Sequence, residues 1–117
     1  MKYLCLVYID EQTMDAMPKA ELQAVTRESL AYDEDLRKSG HFIAAQALQP
    51  VQTATTIRVR NGKLSMTDGP FAETKEQLGG FIFIEARDLN DALQVASKIP
   101  MARLGSIEVR PIMELQR

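Results

Sequence analysis

Four stretches of the chain have the apolar, alternating composition of β-strands. Residues 2–8 and 79–86 carry large apolar side chains on both alternating faces, which is typical of central strands that are covered on both sides. Residues 41–48 and 106–113 form two further strand-like runs. Pro111 lies inside the last run, which predicts an edge position or a strand end because proline cannot donate to the ladder.

Two segments have apolar residues at spacings of three and four, which predicts amphipathic helices. The first helix is expected from Pro18 to Ser39, with Gly40 as a left-handed cap, and residues 9–17 before it are expected to be a polar loop. The second helix is expected to begin at the cap Asp88 and to end before Pro100. The inward face of the first helix is predicted to contain Leu22, Val25, Ser29, Tyr32 and Leu36. That of the second is predicted to contain Leu89, Ala92, Leu93, Ala96 and Ile99.

A β-hairpin is predicted for residues 54–67, because Asn61-Gly62 is a preferred two-residue turn. If Arg60 opposes Lys63, then Val59 meets Leu64 and Ile57 meets Met66, all on one face. The turn that follows is expected to be held by the Asp68 carboxylate, bonded to nearby backbone N–H groups. One helical turn is expected at 72–77.

The element order is therefore β-α-β, hairpin, β-α-β. Two split βαβ units of this kind predict an α+β, ferredoxin-like single domain over residues 1–117, with four antiparallel main strands and both helices on one face. The second face of the sheet would then expose its apolar side chains to water. A second copy packed sheet to sheet would cover them, so the pattern predicts a homodimer that encloses a shared core or cavity.

Bulk composition excludes several classes of protein. The net charge is −2 and the pI is about 5.4, which gives no basic footprint for nucleic acid. No apolar run approaches the roughly 20 residues of a membrane span. The start of the chain lacks the regions of a signal peptide, and the single Cys5 cannot form an internal disulfide. A cytoplasmic location is expected.

The segment 67–81 concentrates the residues that suggest a site. Asp68 is a candidate general base or ligand anchor, or else a residue that serves only the turn. Glu73, Lys75 and Glu76 are candidates for a polar pocket mouth, or else form a solvated, salt-bridged turn. Gly79-Gly80 would admit a ligand close to the backbone, or would simply allow the chain to enter the strand.

Outside that segment, Arg58, Arg60 and Arg110 are candidates to attract an anion, with solvent exposure for the first two and an ion pair for Arg110 as the alternatives. His41, the only histidine, is either a titrating group or an ordinary residue at a strand start. Cys5 is expected to be a small core residue. No metal site or cofactor is predicted, because one histidine and one cysteine cannot supply a zinc site of nitrogen and sulfur ligands, and no phosphate loop, hydrolase elbow or zinc-protease motif occurs.

The run Asp68-Gly69-Pro70-Phe71, followed by Ala72-Glu73-Thr74-Lys75-Glu76, resembles the signature of the DGPF-domain branch of the YCII-related proteins. The stretch Glu108-Val109-Arg110-Pro111 is similar to that family as well. The resemblance covers nearly the whole chain and implies a bacterial, cytoplasmic protein that forms a dimeric α/β barrel. The broader family has a proposed acid/base His-Asp pair. The resemblance implies that Asp68 corresponds to its aspartate, and it places Ser29 where its histidine lies.

The expected function is a ligand-binding or enzymatic site near the Asp68 turn, with a small molecule held by Ser29, Glu73, Lys75 and Arg110 and with Asp68 as the acid/base or anchoring group. The alternative is a non-catalytic accessory protein. Members of the resembled branch are often encoded beside sigma factors of the extracytoplasmic-function type, which implies such a factor as a partner. A purely structural dimer would explain the apolar faces but not the dense motif.

Overall fold

The computed structural model describes residues 1–116, and it shows a mixed α+β fold. Its strands are β1 (Lys2–Ile9), β2 (Phe42–Ala47), β3 (Thr55–Arg60), β4 (Lys63–Asp68), β5 (Gln77–Glu85) and β6 (Ser106–Pro111). Its α-helices are α1 (Glu11–Ala16), α2 (Lys19–Lys38) and α3 (Leu89–Ser97), and short 3-10 turns lie at Val51–Thr53 and Pro100–Arg103.

The four main strands form one antiparallel sheet in the order β2-β5-β1-β6. This order is compatible with the predicted ferredoxin-like fold. It places β1 and β5 in the centre, as their apolar composition on both faces predicted. It also confirms the edge position of β6, whose last residue is Pro111.

The core lies between one face of this sheet and the helices. Alternate residues of the central strands, including Tyr3, Cys5 and Ile84, are almost completely buried there. They pack with Leu36 of α2 and with apolar side chains of α3. The predicted inward face of α2 is confirmed, since all five of its residues are buried or half-buried.

The other face of the sheet carries the alternate side chains, which remain partly exposed. Leu4 is opposite Phe83, and Leu6 is opposite Phe81. None of these four belongs to the buried core. Apolar side chains therefore project from both faces of the sheet, as predicted, and the helices cover only one of them.

The hairpin has the predicted register, with Arg60 opposite Lys63, Val59 opposite Leu64 and Ile57 opposite Met66. Asn61 and Gly62 have positive φ angles of 54° and 74°, as expected for a turn that matches the twist of the strands. β3 and β4 form a two-stranded sheet of their own, separate from the main one.

Three local predictions were wrong. Residues 11–16 form a short helix where a loop was expected, because Asp10 caps it by accepting a hydrogen bond from the backbone N–H of Gln12. Residues 72–76 form no helical turn, and β5 already begins at Gln77. The buried face of α3 is rotated relative to the face that the sequence predicted. Leu89 and Leu93 are exposed, and Val95 is buried instead.

Candidate functional site

A cleft of about 510 Å³ lies between α2 and the sheet. One wall comes from α2 and includes Leu22, Val25 and Ser29. The opposite wall comes from the sheet and includes Gly80 and Ile82. The volume is in the range of small-molecule sites, which are mostly apolar with a few polar groups. The cleft is therefore the best candidate for a ligand site.

Three polar residues of the cleft, Thr26, Ser29 and Asp33, lie on one face of α2, and Gln46 of β2 also lines it. Ser29 Oγ donates to the Val25 carbonyl at 2.9 Å, and Thr26 Oγ1 donates to the Leu22 carbonyl at 3.0 Å. Each hydroxyl proton is thus used by the helix itself, which leaves oxygen lone pairs to accept from a ligand. The site residue predicted at position 29 does face the cleft.

Asp33 is the acidic group of the cleft, and the sequence reasoning did not single it out. Burial raises the pKa of its carboxyl, and Arg37 opposes this effect while Glu34 adds to it. Desolvation favours the neutral acid, which is both a hydrogen-bond donor and an acceptor. Helical spacing could have placed Asp33 in the site, because residues 26, 29 and 33 share one helical face.

Gly79 and Gly80 line the sheet wall of the cleft. A Cβ atom on Gly80 would come within 2.7 Å of the backbone oxygen of Gln46. The neighbouring strand β2 therefore already requires glycine at this position. A Cβ atom on Gly79 would meet the Ile9 side chain at 2.8 Å. Packing alone therefore explains Gly80, whereas the contact at Gly79 is with a side chain that can move.

Asp68, Glu73 and Lys75 do not line the cleft. Asp68 is exposed at the end of β4, and its carboxylate makes no hydrogen bond within residues 1–116, contrary to the turn bond that was expected. The turn is held instead by Thr56 Oγ1, which donates to the Gly69 carbonyl at 2.9 Å. Glu73 and Lys75 are exposed as well. The chain by itself therefore does not bring Asp68 and Ser29 into one site.

Arg110 lies on the sheet face opposite the helices, beside Leu4 in the register. Its Nε donates to Glu108 Oε2 at 2.8 Å, so the guanidinium is engaged by a carboxylate of its own strand. Glu76 accepts a hydrogen bond of 2.7 Å from the Ser106 hydroxyl. These two charged residues of the predicted site thus make contacts within the protein.

A second cavity, of about 500 Å³, lies beside His41. His41 Nε2 is 3.0 Å from Asp91 Oδ2, and its Nδ1 is 2.7 Å from Ser39 Oγ. The end of α2 fixes the histidine, because its backbone N–H donates to the Leu36 carbonyl and Gly40 adopts a φ of +81°. No sequence pattern predicted the contact with Asp91, because the two residues belong to different elements.

Cys5 is fully buried, and burial raises the pKa of its thiol to about 11. It is therefore a core residue rather than a nucleophile. Within residues 1–116, no three acidic, histidine or cysteine side chains are grouped so that they could hold a metal ion. The helices of the same residues are all too short or too polar to cross a membrane.

Comparison with known proteins agrees with the resemblance to the YCII-related proteins. The pattern of the YCII-related domain matches residues 1–116. The chain is also 39% identical, over 114 residues, to an uncharacterised protein of Rhizobium meliloti (strain 1021), an alignment that covers 96% of this chain and 92% of that protein. A match of this extent shows the family, and the chain belongs to the YCII-related domain family.

Proposed function

We propose that this protein is a small homodimer that binds an uncharged or weakly acidic small molecule in the cleft between α2 and the sheet. The observation that carries the proposal is the cleft itself, with its apolar walls and its few polar groups on α2. The run Asp68-Gly69-Pro70-Phe71 supports placing the chain in the DGPF branch, and its single buried Cys5 suits the reducing cytoplasm.

The cleft proposal is tested by filling the cleft. Ser29→Leu places a larger side chain in it, and we expect a neutral solvatochromic dye to lose its fluorescence gain with this variant. Ser97→Leu is the matched control, because Ser97 is exposed on α3 and its hydroxyl also bonds a carbonyl of its own helix. Equal dye binding by the two variants would place the ligand elsewhere.

The homodimer rests on the open sheet face, where Leu4, Leu6, Phe81 and Phe83 project away from the core. Burial of apolar surface contributes about 25 cal/mol per Å², so a second copy gains stability by covering this face. Sedimentation is expected to show a dimer at micromolar concentration, and Leu6→Glu is expected to shift it to monomer. A wild-type protein that sediments as a monomer would contradict the dimer.

Outside the cleft, the Asp68 turn is a separate candidate site, at which we propose Asp68 as the acid/base or anchoring group and Glu73, Lys75 and Arg110 as ligand contacts. Asp68→Asn tests this role. Because Asp68 is exposed, the variant should fold with unchanged stability. A loss of binding or turnover would then report on the site and not on folding. A variant that binds and reacts like the wild type would remove Asp68 from the site.

The second candidate is a non-catalytic accessory protein that acts with an extracytoplasmic-function-type sigma factor. One observation favours it over acid/base catalysis: of the described residues that line the cleft, none is a histidine, and Ser29 stands where the family's histidine is expected. Affinity purification of the tagged protein from its native host tests this candidate. Recovery of no transcription component would count against it.

A further inference from the structure

A serine, a histidine and an aspartate form one chain of hydrogen bonds where the end of α2 meets the first turn of α3. Ser39 Oγ is 2.7 Å from His41 Nδ1, and His41 Nε2 is 3.0 Å from Asp91 Oδ2. The imidazole therefore joins a hydroxyl on one side to a carboxylate on the other. This order of groups activates a serine hydroxyl as a nucleophile, and it is recognised by geometry and not by sequence position.

The carboxylate decides the direction of each hydrogen bond in this chain. An ionised carboxylate only accepts, so Nε2 carries the hydrogen between His41 and Asp91. In the neutral imidazole, Nδ1 then has no hydrogen and accepts from the Ser39 hydroxyl. That hydroxyl also lies 3.1 Å from the Leu36 carbonyl, but this oxygen already accepts the backbone N–H of His41 at 2.9 Å. Nδ1 is thus placed to act as a general base towards Ser39.

The three groups differ in exposure as nucleophilic catalysis requires. Only 9% of the Asp91 side chain and 21% of the His41 side chain are exposed, whereas Ser39 is an exposed residue. Asp91 is held in place by the backbone N–H of Arg87, which donates to it at 3.0 Å. A small molecule can therefore reach the hydroxyl, while the carboxylate stays inside the protein.

The cavity of about 500 Å³ beside His41 gives a substrate room next to the hydroxyl. Ser39, His41, Arg87 and Asp91 all line it, and it shares no lining residue with the cleft between α2 and the sheet. Arg87 Nη2 is 3.5 Å from Asp91 Oδ1, and 82% of the Arg87 side chain is exposed, so its guanidinium keeps N–H donors for a ligand. Such donors stabilise the negative charge that develops on a carbonyl oxygen under attack.

We propose that Ser39, His41 and Asp91 form a hydrolytic site for esters of small carboxylic acids. Ser39 is the nucleophile and His41 is the general base. Asp91 positions the imidazole and stabilises its charged form, and Arg87 contacts the carbonyl oxygen of the ester. None of these residues lines the cleft, so the inference goes beyond the proposed function and does not depend on it.

The reaction has two steps, and water is its only co-reactant. In the first step, Ser39 Oγ bonds to the carbonyl carbon as its proton moves to His41 Nδ1. The bond from that carbon to the alcohol oxygen breaks, and the leaving alcohol takes the proton from Nδ1. In the second step, water bonds to the acyl carbon and gives a proton to Nδ1. The bond to Oγ then breaks, Oγ takes that proton, and a carboxylic acid is released.

Labelling with an alkyl fluorophosphonate tests the nucleophile. The phosphorus of this reagent bonds to the oxygen of an activated serine and fluoride leaves, and mass spectrometry locates the adduct. We expect one adduct per chain, on Ser39, and none on Ser39→Ala. Ser97→Ala is the matched control and should be labelled like the wild type, because Ser97 is also an exposed serine whose hydroxyl bonds a carbonyl of its own helix, at 2.8 Å. An unlabelled wild type, or an adduct on another residue, would overturn the proposal.

The rate constant and the final extent of labelling separate catalysis from folding. His41→Gln removes the base. Asp91→Asn puts an amide beside Nε2 that can donate to it, which leaves the hydrogen on Nδ1. We expect both rate constants to fall by about 100-fold or more with the final extent unchanged, since a positioned base contributes roughly 10²–10⁴-fold. A lower extent at the wild-type rate constant would mean that the two residues serve folding alone, and it would overturn their assigned roles.

Hydrolysis of p-nitrophenyl acetate tests the complete reaction. The wild type and Ser97→Ala should release many equivalents of p-nitrophenol per chain, and Ser39→Ala should lose this activity. Release that stops at one equivalent, or a Ser39→Ala variant as active as the wild type, would overturn the hydrolytic site. Dye binding in the cleft should be the same in Ser39→Ala as in the wild type, so failure of either proposal is recognised separately from the other.

Discussion

The imidazole of His41 and the carboxylate of Asp91 join the beginning of β2 to the first turn of α3 through a contact of 3.0 Å. A carboxylate only accepts, so Nε2 carries the hydrogen that it donates to Asp91. Asp91 also accepts a 3.0 Å hydrogen bond from the backbone N–H of Arg87, just before the cap Asp88. The Asp91 side chain is almost completely buried, and its buried oxygen atoms have hydrogen-bond partners within the protein.

Asp91→Asn is expected to destabilise the protein in a pH-dependent way. The backbone N–H of Arg87, and next the His41 side chain, hold the pKa of Asp91 below its usual range. Its stabilising contribution is therefore present above the unfolded-state pKa of about 3.9, and it is lost as the pH falls through the lower folded-state value. Urea unfolding of both proteins from neutral pH to acid should show a difference that shrinks below that point.

The control for this prediction is Glu73→Gln, because Glu73 is exposed and makes no ion pair within residues 1–116. It should match the wild type throughout the same pH series. A difference between Asp91→Asn and the wild type that stayed constant into acid would show that the ionised carboxylate is not what stabilises the contact.

Tyr32→Phe is expected to lower the free energy of unfolding by about 1 kcal/mol, the typical contribution of one intramolecular hydrogen bond. The Tyr32 hydroxyl donates to the Val95 carbonyl at 2.7 Å and so joins α2 to the last turn of α3. Urea denaturation near neutral pH measures the loss. Tyr8→Phe is the control, since the half-buried Tyr8 hydroxyl makes no hydrogen bond within the described residues, and an equal loss there would contradict the assignment.

The same tyrosine should titrate late. Burial, and then Cys5 and Asp35, raise the pKa of Tyr32 to about 12. A raised pKa means that this contribution to stability is present below the unfolded-state value of about 10 and is lost as the pH rises towards 12. In an ultraviolet titration, the latest tyrosine transition of the wild type should therefore be missing from Tyr32→Phe.

The central positions of β1 and β5 and the hairpin register followed from the sequence, because the local pattern of side chains indicates them. Asn61-Gly62 fixes the hairpin turn, and a two-residue period then assigns every side chain of β3 and β4 to a face. The short helix α1 was not predicted, because six residues without an apolar stripe give no helical period. Its formation depends on the cap Asp10.

Packing between distant segments explains the remaining differences. Leu89 and Leu93 fit a helical stripe as well as Val95 does, and only the position of α3 on the sheet decides which side chains are buried. Prediction of the candidate site from the sequence meets the same limit, because spacing along the chain does not show how distant segments pack. Ser29 could be placed on an inward face from its spacing, but the exposure of Asp68 outside the cleft depends on how the separate hairpin packs.

Gly105→Ala is expected to be strongly destabilising, by about 1–3 kcal/mol or more, which is the usual cost of overpacking. A Cβ atom at this position would lie 2.0 Å from the backbone oxygen of Tyr8, and neither backbone segment can rotate away. Gly79→Ala is the matched comparison, because its new Cβ would meet the tip of the Ile9 side chain, which can change rotamer. Thermal unfolding should rank Gly105→Ala well below Gly79→Ala, and the reverse order would be inconsistent with this packing.

Asp33→Asn is expected to make the protein slightly more stable near neutral pH. Burial raises the pKa of Asp33, so the folded state disfavours the ionised carboxylate that the unfolded chain carries freely. For a carboxyl with a raised folded-state pKa, the penalty is absent in acid and grows as the pH rises through the unfolded-state value of about 3.9. The variant should thus equal the wild type in acid and exceed it near neutral pH in urea unfolding.

Asp35→Asn is the control for Asp33→Asn, because Asp35 is an exposed carboxylate of the same helix. The dye assay then separates stability from function. If Asp33 anchors the ligand of the cleft, Asp33→Asn should alter the pH dependence of binding by a weakly acidic dye while Asp35→Asn leaves it unchanged. A gain in stability without any change in that pH dependence would mean that Asp33 is buried beside the cleft but takes no part in holding a ligand.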